Sequence, residues 1–246
     1  MPEGPSIVIL KEAVQVFKGQ KIIGVSGNTK INKERLLNEK IIDFKTWGKH
    51  FLICFKGFTI RIHLMMFGSY SINERKERQA RLSMQFNNGE LNFYTCSVLE
   101  IDEPISEVYD FTGDVMNDDW DAKAARMKLK ALPETLVCDA LLDQHIFAGV
   151  GNIIKNEVLF RIKVHPLTKV GNLPARKLTE LIKEARNYSF DFLRWKKAFE
   201  LKKHWLVNTK KICPRDGSPV IKKYLGKTNR RSFYCAACQV EYNQAK

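Results

Sequence analysis

The hydrophobic pattern of this chain changes period once, across residues 102–121, and that change excludes most architectures. Before it, apolar residues fall in short runs at 21–25, 41–47, 51–55, 59–64, 82–86 and 91–94, with Asn88-Gly89 as a hairpin signal between the last two. After it, the spacing is helical over 123–132, 134–144, 152–161 and 173–199. One helix precedes the strands, because Ile7, Leu10, Val14 and Phe17 follow Pro5 at helical spacing and Gly19 supplies a stop. Strands followed by helices predict an α+β chain of two domains rather than a βαβ sheet. The first is a β-sandwich or barrel with an N-terminal helix, and the second is helical. From Lys210 the pattern changes again, to β-type runs at 220–224 and 232–234 bounded by cysteines, which reads as a metal-held hairpin. The expected boundaries are 1–112, 113–209 and 210–246.

Charge follows the same division. Residues 1–120 carry 15 Lys+Arg against 16 Asp+Glu, whereas residues 121–246 carry 26 against 11, so the net +14 resides in the helical half. A concentrated positive field is the footprint of a polyanion partner. Nucleic acid ranks ahead of a membrane surface, because no basic helix also presents a broad apolar face. A solvated basic surface that only aids solubility is the competing reading. No run approaches the roughly 18 apolar residues of a membrane span, and no basic-then-apolar leader opens the chain, so a cytoplasmic, nucleoid-associated location is expected.

Cys54, Cys96 and Cys138 stand singly in apolar segments and read as buried thiols. Cys213, Cys235 and Cys238 cluster near the C-terminal end, where a metal fits a reducing compartment better than disulfides do.

The opening Met1-Pro2-Glu3-Gly4-Pro5 carries chemistry of its own. With Met1 removed, Pro2 exposes a secondary amine whose reference pKa near ~7.7–8 leaves it far more nucleophilic at neutral pH than a lysine at ~10.4. Attack on the C1′ carbon of a deoxynucleotide expels the base and leaves an iminium with no N–H to lose, which acidifies the C2′ protons and drives loss of the 3′ phosphate. Glu3 is placed for the accompanying proton transfers. Alone, a Pro-Glu start more often has only a structural meaning.

The segment from Leu141 to Ile153, Leu-Leu-Asp-Gln-His-Ile-Phe-Ala-Gly-Val-Gly-Asn-Ile, changes that balance. It resembles the helix-two-turns-helix motif of the formamidopyrimidine-DNA glycosylase and endonuclease VIII family. The likeness continues through Asn156-Glu157-Val158-Leu159-Phe160 and His165-Pro166, and includes Pro2-Glu3-Gly4-Pro5, Trp47-Gly48-Lys49-His50 and the C-terminal finger. The physics of the motif agrees. Gly149 and Gly151 allow close backbone approach, Asn152 reads as a helix cap near free N–H groups, and Lys155 adds charge one turn in. The competing reading is a packing turn between helices.

The resemblance implies an N-terminal β-sandwich with an N-terminal helix, a helix-two-turns-helix domain and a zinc-finger-like hairpin. It implies Pro2, Glu3, Lys49 and Arg230 as catalytic residues, with Lys49 and Arg230 meeting phosphates around a damaged nucleotide. Gly151, Asn152, Lys155 and Arg231 contact DNA. Met65, Met66 and Phe67, in His63-Leu64-Met65-Met66-Phe67-Gly68, fill the gap left by an extruded base; core packing at a strand end is the alternative for these three. Cys213, Asp216, Cys235 and Cys238 hold structural Zn2+, with Asp216 where the family commonly has a cysteine. The implied partner is damaged double-stranded DNA bound by a monomer, with no membrane.

Two further departures concern substrate. Ser6 replaces a glutamate usual after the second proline, and Phe93-Tyr94-Thr95-Cys96-Ser97 lacks the Asp-x-Arg-Arg of the formamidopyrimidine branch. The first leaves a possible ribose-contacting acid missing; the second, together with the Pro2-Glu3-Gly4-Pro5 start, favours the endonuclease VIII-like branch, which by resemblance removes oxidised pyrimidines and cleaves by β- or β,δ-elimination. An oxidised-purine glycosylase is the runner-up, and a non-catalytic DNA- or RNA-binding protein of the same fold is the third reading.

Overall fold

The computed structural model describes residues 2–243. The chain divides into two compact units, Met1–Asp110 and Phe111–Lys246.

The first unit opens with helix α1 (Gly4–Ala13). Glu3 is its N-cap in extended conformation, and Pro5 lies in the first turn, where its missing N–H removes no helical bond. Eight strands follow: β1 (Gly24–Ser26), β2 (Asp43–Trp47), β3 (His50–Cys54), β4 (Thr59–His63), β5 (Ser69–Ile72), β6 (Leu82–Phe86), β7 (Gly89–Tyr94) and β8 (Ser97–Ile101). They form two antiparallel sheets, β1-β6-β7-β5 and β2-β3-β4-β8. Alternation sends Phe44, Phe51, Ile53, Ile60 and Ile62 of one sheet and Leu82, Met84, Leu91 and Phe93 of the other into one core, to which α1 adds Ile7 and Leu10. The unit is thus the β-sandwich with an N-terminal helix.

Strands β5 and β8 were not expected. Every residue of β5 is only half-buried, so Ser-Tyr-Ser-Ile shows no apolar alternation. The turn into β8 uses Thr95 at φ 51, a left-handed residue that β-branched side chains seldom supply.

The second unit begins beyond a short helix, α2 (Ile105–Val108), that still belongs to the first. Helices α3 (Ala122–Lys130), α4 (Val137–Ala140), α5 (Asn152–Arg161) and α6 (Ala175–Lys197) enclose a core of Leu129, Phe147, Ile154, Val158, Leu181 and Tyr188. Asp121 caps α3 through bonds from the Lys123 and Ala124 amides. The helix expected over 134–144 is corrected: it shrinks to the single turn α4. Leu136 is tied into an extended bridge with Lys169 before it. After it, Asp143 and Gln144 close turns instead of continuing the helix: the Phe147 amide bonds Asp143, and Gln144 bonds Leu142, Gly149 and Val150. Strands β9 (Ile221–Leu225) and β10 (Arg230–Tyr234) pair as the terminal hairpin. Their small core consists of Phe160, Val207, Cys213, Phe233 and Cys235. Among the described residues no helix is long and apolar enough to cross a membrane.

Candidate active site and metal centre

In the first unit, Pro2 is half-buried directly before α1, and Glu3 is wholly buried. The segment is tied down, since Gly4 and Pro5 are buried and the Ser6 amide bonds the Glu3 carbonyl at 2.8 Å. Glu3 is thereby held as the N-cap residue of α1, directly after Pro2.

Lys49 lies in the two-residue turn joining β2 to β3, where Trp47 faces His50 across the ladder. Gly48 takes φ 54 there, the left-handed geometry that such a hairpin needs. Around this turn the sheet's outer face gathers Trp47, His50, Arg61, His63 and Tyr109, with the two imidazoles 5.2 Å apart. Burial pushes the His50 pKa down to about 3, with help from the charges of Arg61, His63 and Lys49. His63 is lowered for the same reasons, burial first, then Lys49 and Arg61. Both rings are therefore neutral near pH 7, and the fixed cations beside the turn are Lys49 and Arg61. The pairing of His63 with His50 depends on the register of β3 and β4 and has no local pattern in the sequence.

Met65, Met66 and Phe67 occupy the turn after β4 and are 52%, 50% and 74% exposed, so the core-packing alternative is overturned. Gly68 closes the turn so tightly that a Cβ there would sit 1.8 Å from the Leu64 carbonyl oxygen.

In the second unit the helix-two-turns-helix loop is organised by Gln144, whose carbonyl accepts from Gly149 and whose amide donates to Leu142 and Val150. Gly149 has φ 99, a value that requires glycine. The N-cap of α5 is Gly151, and Asn152 is the first helical residue. The expectation of an Asn152 cap is corrected: its amide donates to the Arg231 carbonyl at 2.8 Å.

Lys155 is corrected as well. Instead of presenting charge at the surface it is 1% exposed, and its ammonium donates to Asn152 Oδ1 at 2.9 Å, Ser232 Oγ at 2.8 Å and the Arg231 carbonyl at 3.3 Å. It braces β10 from within rather than meeting a phosphate. Arg230 and Arg231 are exposed on that strand, and Arg231 bonds the Tyr224 hydroxyl at 3.1 Å.

Two buried neighbours of Lys155, Asn156 and Glu157, support the same region. Glu157 accepts the amides of Leu206, Val207 and Asn208 at 2.8–3.1 Å, and Asn156 bonds Asn208 at 3.0 Å. Helix α5 is thus buried nearly all round, and its polar residues are satisfied by the chain leading into the finger.

Cys213, Asp216, Cys235 and Cys238 place their ligand atoms within 4.8 Å of one another. Cys213 and Cys238 sulfurs are 3.8 Å apart, and Cys235 Sγ is 3.3 Å from Asp216 Oδ2. A tetrahedral ion with bonds of about 2.3 Å separates two thiolates by about 3.8 Å, so the donor set fits such an ion. The Ser218 amide, at 2.9 Å, is the main reason that the Asp216 carboxyl is held down to about 2, and burial pushes the Cys235 thiol up to about 12. An ionised carboxylate and three sulfurs converging on one point, with the buried Cys235 thiol giving up its proton most readily to a cation, form a site suited to a metal.

These two units, a sandwich opened by a short helix and a helical unit ending in a cysteine-bearing hairpin, define a fold seen in DNA glycosylases. The crystal structure of a viral DNA glycosylase matches it with a TM-score of 0.84, covering 97% of this chain and 100% of that one at 22% identity. Formamidopyrimidine-DNA glycosylase of Lactococcus lactis, crystallised non-covalently bound to DNA containing an AP site, matches with a TM-score of 0.83 over 96% of this chain and 99% of its own, also at 22% identity. The formamidopyrimidine-DNA glycosylase N-terminal domain is recognised over residues 1–96 and the H2TH domain over 111–190.

The chain belongs to the formamidopyrimidine-DNA glycosylase and endonuclease VIII family. It is 32% identical to mouse Endonuclease 8-like 3 over 81% of its length, but spans about a third (34%) of that relative. It is 30% identical to formamidopyrimidine-DNA glycosylase of Mycoplasmopsis pulmonis (strain UAB CTIP), covering 97% of this chain and 98% of that protein.

Proposed function

We propose that this protein is a bifunctional DNA glycosylase and AP lyase of base excision repair, with Pro2 as its nucleophile. The observation that carries the reading is the ordered N-terminus: Pro2 is held directly before a helix and beside a wholly buried carboxyl, Glu3. After Met1 is removed, the Pro2 nitrogen forms a bond to C1′, and the glycosidic bond breaks with its electron pair leaving on the base. The sugar ring then opens to the iminium. A C2′ proton is lost, and its electrons form a double bond as the 3′ phosphate departs; water releases Pro2. Glu3 moves protons at the ring oxygen and at C2′. Lys49, on a rigid two-residue turn, and Arg230, on β10, stabilise phosphates next to the lesion.

The exposed Met65, Met66 and Phe67 fill the stack when the damaged nucleotide turns out. Gly151, Asn152 and Arg231 complete the DNA-binding set around the start of α5, and Lys155 acts as their support. Cys213, Asp216, Cys235 and Cys238 would hold zinc, which would cross-link the base of the finger and supply no chemistry to the reaction. The protein acts as a monomer on damaged duplex DNA.

Oxidised pyrimidines are the proposed substrates, supported by the absent Asp-x-Arg-Arg in 93–97 and by the likeness to Endonuclease 8-like proteins. Oxidised purines are the second reading, favoured by the near full-length likeness to a protein named formamidopyrimidine-DNA glycosylase. Borohydride trapping of the Met1-processed protein separates them, on duplexes carrying one thymine glycol, one formamidopyrimidine guanine or one abasic site. The expected adduct is on Pro2 with the thymine glycol and abasic duplexes. Trapping on the abasic site and the purine lesion alone reverses the substrate choice. No adduct on any duplex, with binding intact, leaves a DNA-binding protein without the chemistry. Pro2→Gly should lose excision by several orders of magnitude while still binding, and full activity in that variant sinks the mechanism.

A further inference from the structure

The β9–β10 hairpin is too small to hold itself. Its strands are five residues each, and the core beneath it has five buried residues, two of them cysteines of the metal cluster. A two-stranded hairpin is marginal in water without further support. The cluster secures the end at Cys235, and Asn152 with Lys155 secures the middle through Arg231 and Ser232. Arg230 lies beyond both, at the first position of β10, against the turn 226–229.

That turn is gripped from α4. The Asp139 carboxylate accepts the Lys227 amide at 2.8 Å, the Thr228 amide at 3.1 Å and the Thr228 hydroxyl at 2.8 Å. Gly226 packs directly on the same carboxylate, where a Cβ would come within 2.4–2.7 Å of its atoms, and it takes φ 72. Two consecutive amides and a hydroxyl converging on one anion form a built nest, stronger than neutral hydrogen bonds. In sequence, Asp139 lies outside the loop from Leu141 to Ile153 and is 91 residues from Arg230.

We propose that Asp139 is a positioning residue for Arg230, fixing the tip of the hairpin so that the guanidinium starts from one place on the finger. Single hydrogen bonds at an exposed turn contribute little, but three charge-assisted bonds to one side chain restrict the backbone two and three residues before Arg230. The inference rests on the proposed role of Arg230 at DNA, so its test separates the two.

The test is a double-mutant cycle of Asp139→Ala and Arg230→Ala on the full chain with its metal, reading Kd for a duplex containing a tetrahydrofuran abasic analogue. Amide hydrogen exchange at Lys227 and Thr228 is measured in parallel. Asp139→Ala is expected to raise Kd about tenfold and speed both amides, and to add nothing once Arg230 is already alanine. Asp139→Asn should fall between, because it keeps an acceptor for Thr228 but offers a donor to the Lys227 amide. An unchanged Kd in Asp139→Ala overturns the proposal, and so do losses that multiply in the double variant. If Asp139→Ala does not fold, Thr228→Val removes one bond only and should weaken binding about threefold; wild-type affinity there is equally fatal. A wild-type protein that gives the expected cycle but no borohydride adduct loses the lyase reading and keeps the clamp, whereas an adduct with a multiplicative cycle does the reverse.

Discussion

The two units present a candidate phosphate-binding cation by opposite means. Lys49 stands on a two-residue turn of a sandwich whose core holds more than twenty buried apolar residues, and the strands on either side are paired along their whole length. Arg230 stands on a hairpin whose own core has five. Packing fixes the first; polar clamps fix the second, from Asn152 and Lys155, then Asp139, together with the metal proposed for Cys213, Asp216, Cys235 and Cys238. The difference teaches where each unit is fragile. Below a certain size an apolar core cannot hold a backbone, and the geometry passes to bonds that one substitution or one chelator removes.

The largest separation of the two should come from the metal. Stripping it with a chelator, or changing Cys235→Ser, should unfasten the hairpin and lower affinity for lesion duplex about 100-fold or more, while exchange protection in β3 and β4 stays as it was. A finger that keeps its amide protection without metal would show that packing suffices there too. The mirror experiment is Phe51→Ala in the sandwich. It should cost about 3–5 kcal/mol in urea unfolding and leave the metal stoichiometry untouched, because Phe51 is wholly buried against Phe44 and Phe93. A change in metal content would break the division drawn here.

A smaller effect is expected from Lys155→Met. The substitution keeps the volume but takes the ammonium away from Ser232 Oγ and Asn152 Oδ1 and leaves the Arg231 carbonyl to Asn152 alone, and should cost about 2 kcal/mol, read as faster exchange in β10. Had Lys155 been a phosphate contact, the same variant would instead reduce the salt dependence of DNA binding and leave β10 protected.

Lys155 also shows what a sequence can and cannot disclose. Its place one turn into a helix is legible, and helix α5 was expected over the residues it occupies, 152–161. The direction of its side chain depends on β10, some 75 residues further on, and no local pattern carries that. The helix expected over 134–144 failed for a related reason: its apolar spacing is real, but the Asp143 carboxylate takes the His145 amide and the Gln144 side chain bonds Leu142, Gly149 and Val150, turns that outcompete the helix. Strands 41–47, 51–55, 59–64, 82–86 and 91–94 were legible because each buries alternate residues in one core. Strand β5, half-buried throughout, had no such alternation to read. Of the candidate site, the metal cluster and the exposed Met65–Phe67 turn were visible as residue types, whereas the clamps that position Arg230 were not.

The smallest effect bears on the sandwich side of the comparison, where the Lys49 turn rests against two neutral imidazoles. His50 has its pKa lowered from 6.5 to about 3, chiefly by burial, and faces Arg61, His63, Lys49, Trp47 and Tyr109. The unfolded chain therefore takes up the proton first as pH falls. Stability from this group is full above about pH 6.5 and declines through the window down to about 3, a loss on the order of 1 kcal/mol at pH 5.5. His63 is shifted in the same direction and adds to the slope. Urea midpoints at pH 7.5 and 5.5 for the wild type and for His50→Gln should show the wild type losing more on acidification, since glutamine cannot titrate. Equal losses would mean that His50 is already hydrated enough to accept a proton in the folded sandwich. The turn that carries Lys49 would then be less rigid than its packing implies, and nearer in kind to the finger.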